Sequence, residues 1–355
     1  MLARGCRRRP IFRRARRGRR SARRREIVEQ TGKALTCVIS SPAAGFIGSH
    51  LAERLIAEGG EVAVLDDMST GSPENLKVVA GDPKLSVTVG DILDAPLVDK
   101  MTAECDLVIH LAAAVGVRLI MEEPKRSLLT NVAGTEHVLE SADKHARRVL
   151  IASTSEVYGK ASKLPFSEDD DLIMGSTANH RWSYACAKML DEHLTLAYVR
   201  GSGLDGVILR FFNTTGPRQT GRYGMVLPSF VDSALKGEPI MVHGSGEQSR
   251  SFGHVADVVE AVVRLSRTAE AKGEVFNVGN DEEVTILGLA EKIRDMTGSK
   301  SEIRKIPYTD VYPVGFEDMQ RRRPSVAKLE KFTGFRPRLS LERIIADVIA
   351  EKRGA

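Results

Sequence analysis

From Leu35 to Val207, short apolar runs alternate with stretches of helical periodicity. The runs Leu35–Ile39, Glu61–Leu65, Leu85–Val89, Leu107–Leu111, Arg148–Ala152 and Gly206–Leu209 read as strands. Between them, Gly45–Ala57 carries Ile47, Leu51, Leu55 and Ile56 on one helical face, and further helices are predicted near Leu97, over Pro124–His145 and over Ser183–Arg200. Strands that alternate with helices in this way predict an α/β fold with a parallel, doubly wound sheet. After Phe212 the rhythm changes. Turn-rich pieces (Thr214–Arg218, His243–Glu247) precede a predicted helix over Val255–Arg267, a strand at Val275–Val278, and helices over Ile286–Met296 and Leu341–Arg353. The expected organisation is a sheet domain over residues 34–212 and a smaller mixed α/β domain over 213–355, with some segments of the latter returning to the sheet. No internal repeat is visible.

Composition changes this picture at one end only. The formal charge of the 355 residues is +5, yet residues 1–25 hold thirteen arginines and no acid. The rest carries 39 basic against 47 acidic side chains, so the body of the protein is mildly acidic and has no nucleic-acid footprint of its own. The segment 1–33 cannot bury a core and is expected to be a disordered arginine-rich arm. The four cysteines have neither CxxC spacing nor histidines clustered for a metal, so reduced thiols in a cytoplasmic protein and no metal are expected. The longest apolar stretch, Val108–Val117, already contains His110 and is too short to span a membrane.

The candidate chemistry starts at Val38–Leu51, a strand, a turn and a helix start with Gly45 and Gly48. Bare N–H groups at such a helix start suit a pyrophosphate. Asp66, eighteen residues after Gly48 at the end of the second strand, is suited to accept ribose hydroxyls and to repel a 2′-phosphate, which favours NAD over NADP. Asp91 ends the third strand, within reach of an adenine. Pro42 stands at the turn position where a glycine is usual; proline fixes φ and lacks a donor. Either the turn adapts or NAD binding is weakened, and the second case would make the chain a non-catalytic NAD- or nucleotide-sugar-binding protein. Downstream, Leu150–Gly159 brings Thr154, Ser155 and Glu156 to a strand end, where α/β enzymes bind ligands. Tyr184 and Lys188 share a helix face. The ammonium is expected to lower the phenol's pKa, so that Tyr184 exchanges a proton with a sugar or alcohol hydroxyl.

These segments, together with His110–Ala113, Asn131–Thr135, Phe212-Asn213, Gly216–Arg218 and Arg250–Phe252, resemble the extended short-chain dehydrogenase/reductase superfamily in its nucleotide-sugar epimerase, dehydratase and decarboxylase branch. The resemblance runs from about Leu35 to the C-terminus. It implies a Rossmann-type NAD domain whose cofactor site is lined by Gly45, Phe46, Ile47, Gly48, Asp66, Asp91, Ile92, Ala112 and Lys188. It also implies a hydroxyl at Thr154 that bonds the sugar 4-OH beside Tyr184. Asn213 and Arg250 fall where the substrate diphosphate is held, with Ser155, Arg218 and Tyr223 as further substrate positions. A homodimer paired through Pro124–His145 and Ser183–Arg200 is implied as well.

Two features sort the branch. Sugar-nucleotide 4,6-dehydratases carry Asp-Glu where this chain has Ser155-Glu156, so the acid for water elimination is missing. Ser-Glu resembles UDP-glucuronate decarboxylases, as does Gln320–Ser325, in which Arg322 takes the place of the catalytic arginine. The reaction so implied is NAD-dependent decarboxylation of UDP-glucuronate through a 4-ketone, with Thr154, Glu156, Tyr184, Lys188 and Arg322 as the catalytic set. The competing reaction, 4-epimerisation of UDP-glucose or UDP-glucuronate, shares the first step; many epimerases of this superfamily lack the counterpart of Glu156.

Overall fold

The strands of the main sheet are all parallel neighbours, and the reason is visible in their burial. In this computed structural model, residues 36–40, 44–111, 124–221, 225–311, 317 and 319–354 are described. The chain runs β1 (Thr36–Ser40), α1 (Phe46–Ala57), β2 (Glu61–Asp66), β3 (Leu85–Val89), α2 (Ala95–Ala103), β4 (Leu107–His110), α3 (Pro124–Lys144), β5 (Arg148–Thr154), α4 (Ser183–Gly201) and β6 (Asp205–Phe211). These strands, with β11 (Val275–Val278), form a seven-stranded sheet in the order β11-β6-β5-β4-β1-β2-β3, every pair parallel.

Interior strands of such a sheet are buried on both faces, and alternate residues serve opposite layers. Leu107, Ile109, Leu150 and Ala152 pack with Leu51 and Leu55 of α1 and with Val258 and Val262 of α6 (Val255–Arg267). Val108, Val149 and Ile151 pack on the other face with Val98 of α2 and with Val138 and Leu139 of α3. The order reverses at β1, between β4 and β2. A crevice beyond the strands' carboxyl ends at such a reversal is where these sheets take ligands.

A third apolar cluster lies in the second half of the chain. Phe230 and Val231 of α5 (Val226–Lys236), Ile240 and Val242 of β8 (Ile240–His243), Leu289 and Ile293 of α7 (Ile286–Thr297), and Ile344 and Ile345 of α9 (Leu341–Gly354) form it. Residues 35–355 make one compact unit. The helix α5 carries Pro228, which masks it in the sequence; the proline sits in the first turn, where no intrahelical N–H bond is lost. The strands β9 (Ser249–Ser251), β12 (Glu283–Thr285) and β14 (Arg321–Arg322) form a small sheet. They are too short to show an alternation in sequence.

Candidate active site

The carboxyl end of β5 supplies the first group. Thr154 caps a 3₁₀ turn, Ser155–Tyr158, its hydroxyl accepting from the Glu156 amide at 3.2 Å. Ser155 is buried beneath. The turn directs Glu156 at Arg181, which binds both carboxylate oxygens (Nη1–Oε2 2.5 Å, Nη2–Oε1 3.0 Å). Arg322 Nη1 stands 3.5 Å from Oε1 of the same carboxylate. The register of β14 on β9 sets Arg322 beside Arg250, whose buried guanidinium donates to the Ser249 carbonyl at 2.7 Å. Burial would raise Glu156, but the attraction of Arg181, Arg322 and Arg250 outweighs it and holds the carboxylate below its ordinary range. Three guanidiniums thus act on one carboxylate.

Tyr184 lies in the first turn of α4, with Lys188 one turn on, and both are buried. The expectation that Lys188 acidifies the phenol is not met in this state. The Lys188 ammonium donates to Asp191 Oδ2 at 3.2 Å. The phenol is pushed up, first by burial and then by the charges of Glu156 and Asp191; Arg181 opposes them. Opposite, His110 at the end of β4 meets the Thr135 hydroxyl at 3.1 Å. Burial, seconded by the Lys188 charge, keeps its imidazole well below the ordinary value and therefore neutral.

A second buried ion pair braces the catalytic edge. Arg210 of β6 binds both oxygens of Glu192 on α4 (2.9 and 2.8 Å) and donates to the Tyr158 hydroxyl at 2.9 Å. Ser153 donates to Glu192 at 2.5 Å, and Tyr158 donates to Asn277 of β11 at 2.8 Å. This network ties the end of β5, the Glu156 turn and α4 together.

The groups suited to a dinucleotide are also present. Gly45 is the N-cap of α1, with no side-chain cap and no acid in the first turn, so the leading amides lack a side-chain acceptor. Asp66, fully buried, accepts from the Ala44 and Met68 amides, both at 2.7 Å. A Cβ on Gly71 would come within 2.8 Å of that carboxylate, so glycine keeps the acid's flank open. Ile92 is buried against Gly134 of α3, and Asp91 is exposed. These features fit NAD. Pro42, Ala112 and Tyr223 lie outside the described residues.

Arg218 is not gathered into the arginine cluster. Its backbone is left-handed (φ 69°), and its guanidinium meets Glu53 at 2.7 Å, Ser49 Oγ at 3.2 Å and the Asn75 carbonyl at 3.1 Å. Those partners brace it against α1. Asn213 donates to the Ser251 carbonyl at 2.9 Å, next to Arg250. His254 is structural, accepting from the Ala256 amide as the cap of α6 and meeting Asp347 at 3.2 Å. Sequence reasoning missed Arg181 as the partner of Glu156, and it missed Asp191. The available signal was position alone, three residues before Tyr184 and three after Lys188.

A profile of the family described as "NAD dependent epimerase/dehydratase family" matches residues 43–279. The chain is 40% identical over 314 residues to a UDP-N-acetyl-alpha-D-glucosaminuronate decarboxylase of Bacillus cytotoxicus, covering 88% of this chain and 96% of that protein. It is 34% identical over 307 residues to UDP-glucuronic acid decarboxylase 1 of Danio rerio, covering 86% and 70%. Among solved structures, Pal from Bacillus thuringiensis superposes with a TM-score of 0.82 at 28% identity, covering 90% of this chain and 99% of that one. A UDP-glucose 4-epimerase from Thermotoga maritima, solved with UDP-glucose, gives 0.79 at 29% identity over 90% and 99%. The chain belongs to the NAD dependent epimerase/dehydratase family.

Proposed function

We propose that this NAD-dependent nucleotide-sugar enzyme decarboxylates a UDP-linked hexuronic acid, UDP-glucuronate or its 2-acetamido counterpart, through a 4-keto sugar. The observation that carries the reading is the Glu156 carboxylate held among Arg181, Arg322 and Arg250, next to a buried Tyr184. A guanidinium cluster of this kind suits a substrate with both a C6 carboxylate and a diphosphate. A neutral hexose would use only part of it.

The division of labour we propose follows the two halves of the chain. Residues 34–212 hold NAD through Gly45, Phe46, Ile47, Gly48, Asp66, Asp91, Ile92 and Lys188, and residues 213–355 contribute most of the nucleotide-sugar side. NAD, when bound, supplies an acceptor and later a donor for the hydride at sugar C4. Tyr184 takes the proton from O4, and the Thr154 hydroxyl orients that oxygen. The ketone at C4 is β to the C6 carboxylate, so breaking the C5–C6 bond leaves an electron pair that the ketone delocalises, and carbon dioxide departs. Arg322 and Glu156 orient the carboxylate, and C5 takes its proton from solvent water that these two groups direct. Asn213, Arg250 and Ser155 hold the substrate.

The test is to incubate the purified protein with UDP-glucuronate, UDP-N-acetylglucosaminuronate and UDP-glucose in turn. Carbon dioxide and a pentose product by proton NMR are expected from at least one hexuronate. Epimerised hexose with no carbon dioxide overturns the reading.

We further propose a homodimer through α3 and α4. These helices pack on each other, and they expose Leu129 and Leu190. Sedimentation at twice the chain mass is the expected result. No described helix is long and apolar enough to cross a membrane, and Cys105 and Cys186 are free thiols. We place the protein in the cytoplasm.

A further inference from the structure

Asp191 is an ionisable side chain where packing alone would take an apolar one. It stands three residues after Lys188 on α4; the two side chains are 0% and 1% exposed, with Oδ2 and Nζ 3.2 Å apart. Its other oxygen lacks a well-formed hydrogen bond, and Thr135 of α3 supplies a further polar contact. A buried carboxylate held this sparsely is costly to keep ionised. Burial accordingly raises Asp191, against the pull of Lys188.

Its neighbours narrow what it does. From β4, His110 is neutral. From the turn after β5, Glu156 has its own arginines. From the turn before α4, Arg181 is bound to Glu156. On α4 itself, Glu192 is matched by Arg210 of β6. From α3 comes the Thr135 hydroxyl. Asp191 is thus the anion set against the ammonium that the chemistry relies on.

We propose that Asp191 is a positioning residue: it counterbalances Lys188 and so sets the pH at which Tyr184 becomes a base. This rests on Tyr184 being the base of the proposed reaction. An ammonium next to a phenol favours phenolate, and a carboxylate beside that ammonium cancels part of the effect. The raised phenol, with Asp191 among its causes, agrees in direction.

The experiment uses the full chain loaded with NAD and labelled with ¹³C at the tyrosine ζ carbon. The chain has six tyrosines, and Tyr184→Phe assigns the resonance. Asp191→Asn is expected to bring the Tyr184 resonance to its ionised position at a pH lower than the parent's by about one unit. The acid limb of the kcat profile moves the same way, and Asp191→Glu returns both toward the parent. Thr135→Val, which removes a hydroxyl that helps keep the carboxylate ionised, shifts the resonance in the same direction by less and serves if Asp191→Asn does not fold. A resonance that titrates as in the parent, moves to higher pH, or stays unmoved in every folded variant overturns the proposal. The resonance reports without turnover. Failure to decarboxylate any hexuronate would therefore sink the proposed reaction and leave Asp191 to be judged by itself.

Discussion

Two buried ion clusters meet at the carboxyl edge of the sheet, and they are built on opposite principles. Around Lys188 the charges balance: one ammonium, one carboxylate, both out of water. Around Glu156 three guanidiniums act on one carboxylate. A single ammonium–carboxylate pair offers an anion little, whereas guanidiniums gathered in low-dielectric surroundings, where charge is poorly screened, can bind one through directed hydrogen bonds. The first arrangement suits proton exchange with a neutral hydroxyl. The second suits capture of a carboxylate.

The contrast can be broken at several points. Tyr184→Phe has the largest expected effect. It removes the proton acceptor and lowers kcat by about a thousandfold, measured as carbon dioxide release, while bound NAD on denaturation stays at the parent level. Glu156→Gln follows. It leaves Arg181 without its counter-ion and should cost about 3 kcal/mol by urea unfolding at pH 7. The folded carboxylate sits below the ordinary value of 4.5, so its stabilisation is fully present above that pH. It fades as pH falls through the folded value, and the gap between parent and variant should shrink on acidification. An equal gap from pH 7 to pH 3 would deny that Glu156 is ionised in the fold. Arg181→Lys keeps the charge and loses the two-pronged bond. We expect KM for the hexuronate to rise about tenfold, with a smaller change in kcat. Arg218→Ala is the mildest. Losing its bonds to Glu53 and Ser49 should cost about 1 kcal/mol of stability, with kcat/KM unchanged. A large loss of kcat/KM would return Arg218 to the substrate site.

Much of this arrangement was legible in the chain. The strands β2, β4, β5 and β6 carry enough buried apolar residues to announce themselves, and the helix spacing of Tyr184 and Lys188 put the two on one face. What escaped was what depends on partners distant in sequence. The pairing of Arg181 with Glu156 joins residues 25 apart through a 3₁₀ turn, and no periodicity marks it. The small sheet of β9, β12 and β14 has strands of two and three residues, below the length at which a pattern can be read. The sequence surroundings of Arg218, Gly216-Pro217-Arg218, suit a ligand loop and gave no sign of its contacts with α1. Its left-handed backbone and its bonds to α1 emerge only once the chain is folded.

The short strand β14 separates two decisions that the enzyme makes. In the proposed reaction, formation of the ketone would fall to α4 and the end of β5, and the fate of the ketone to Arg322, placed by a two-residue register against β9. On that proposal, exchanging amino acids around positions 321–324 would redirect the outcome while leaving oxidation in place, so that one small sheet edge would set the product on an unchanged redox half.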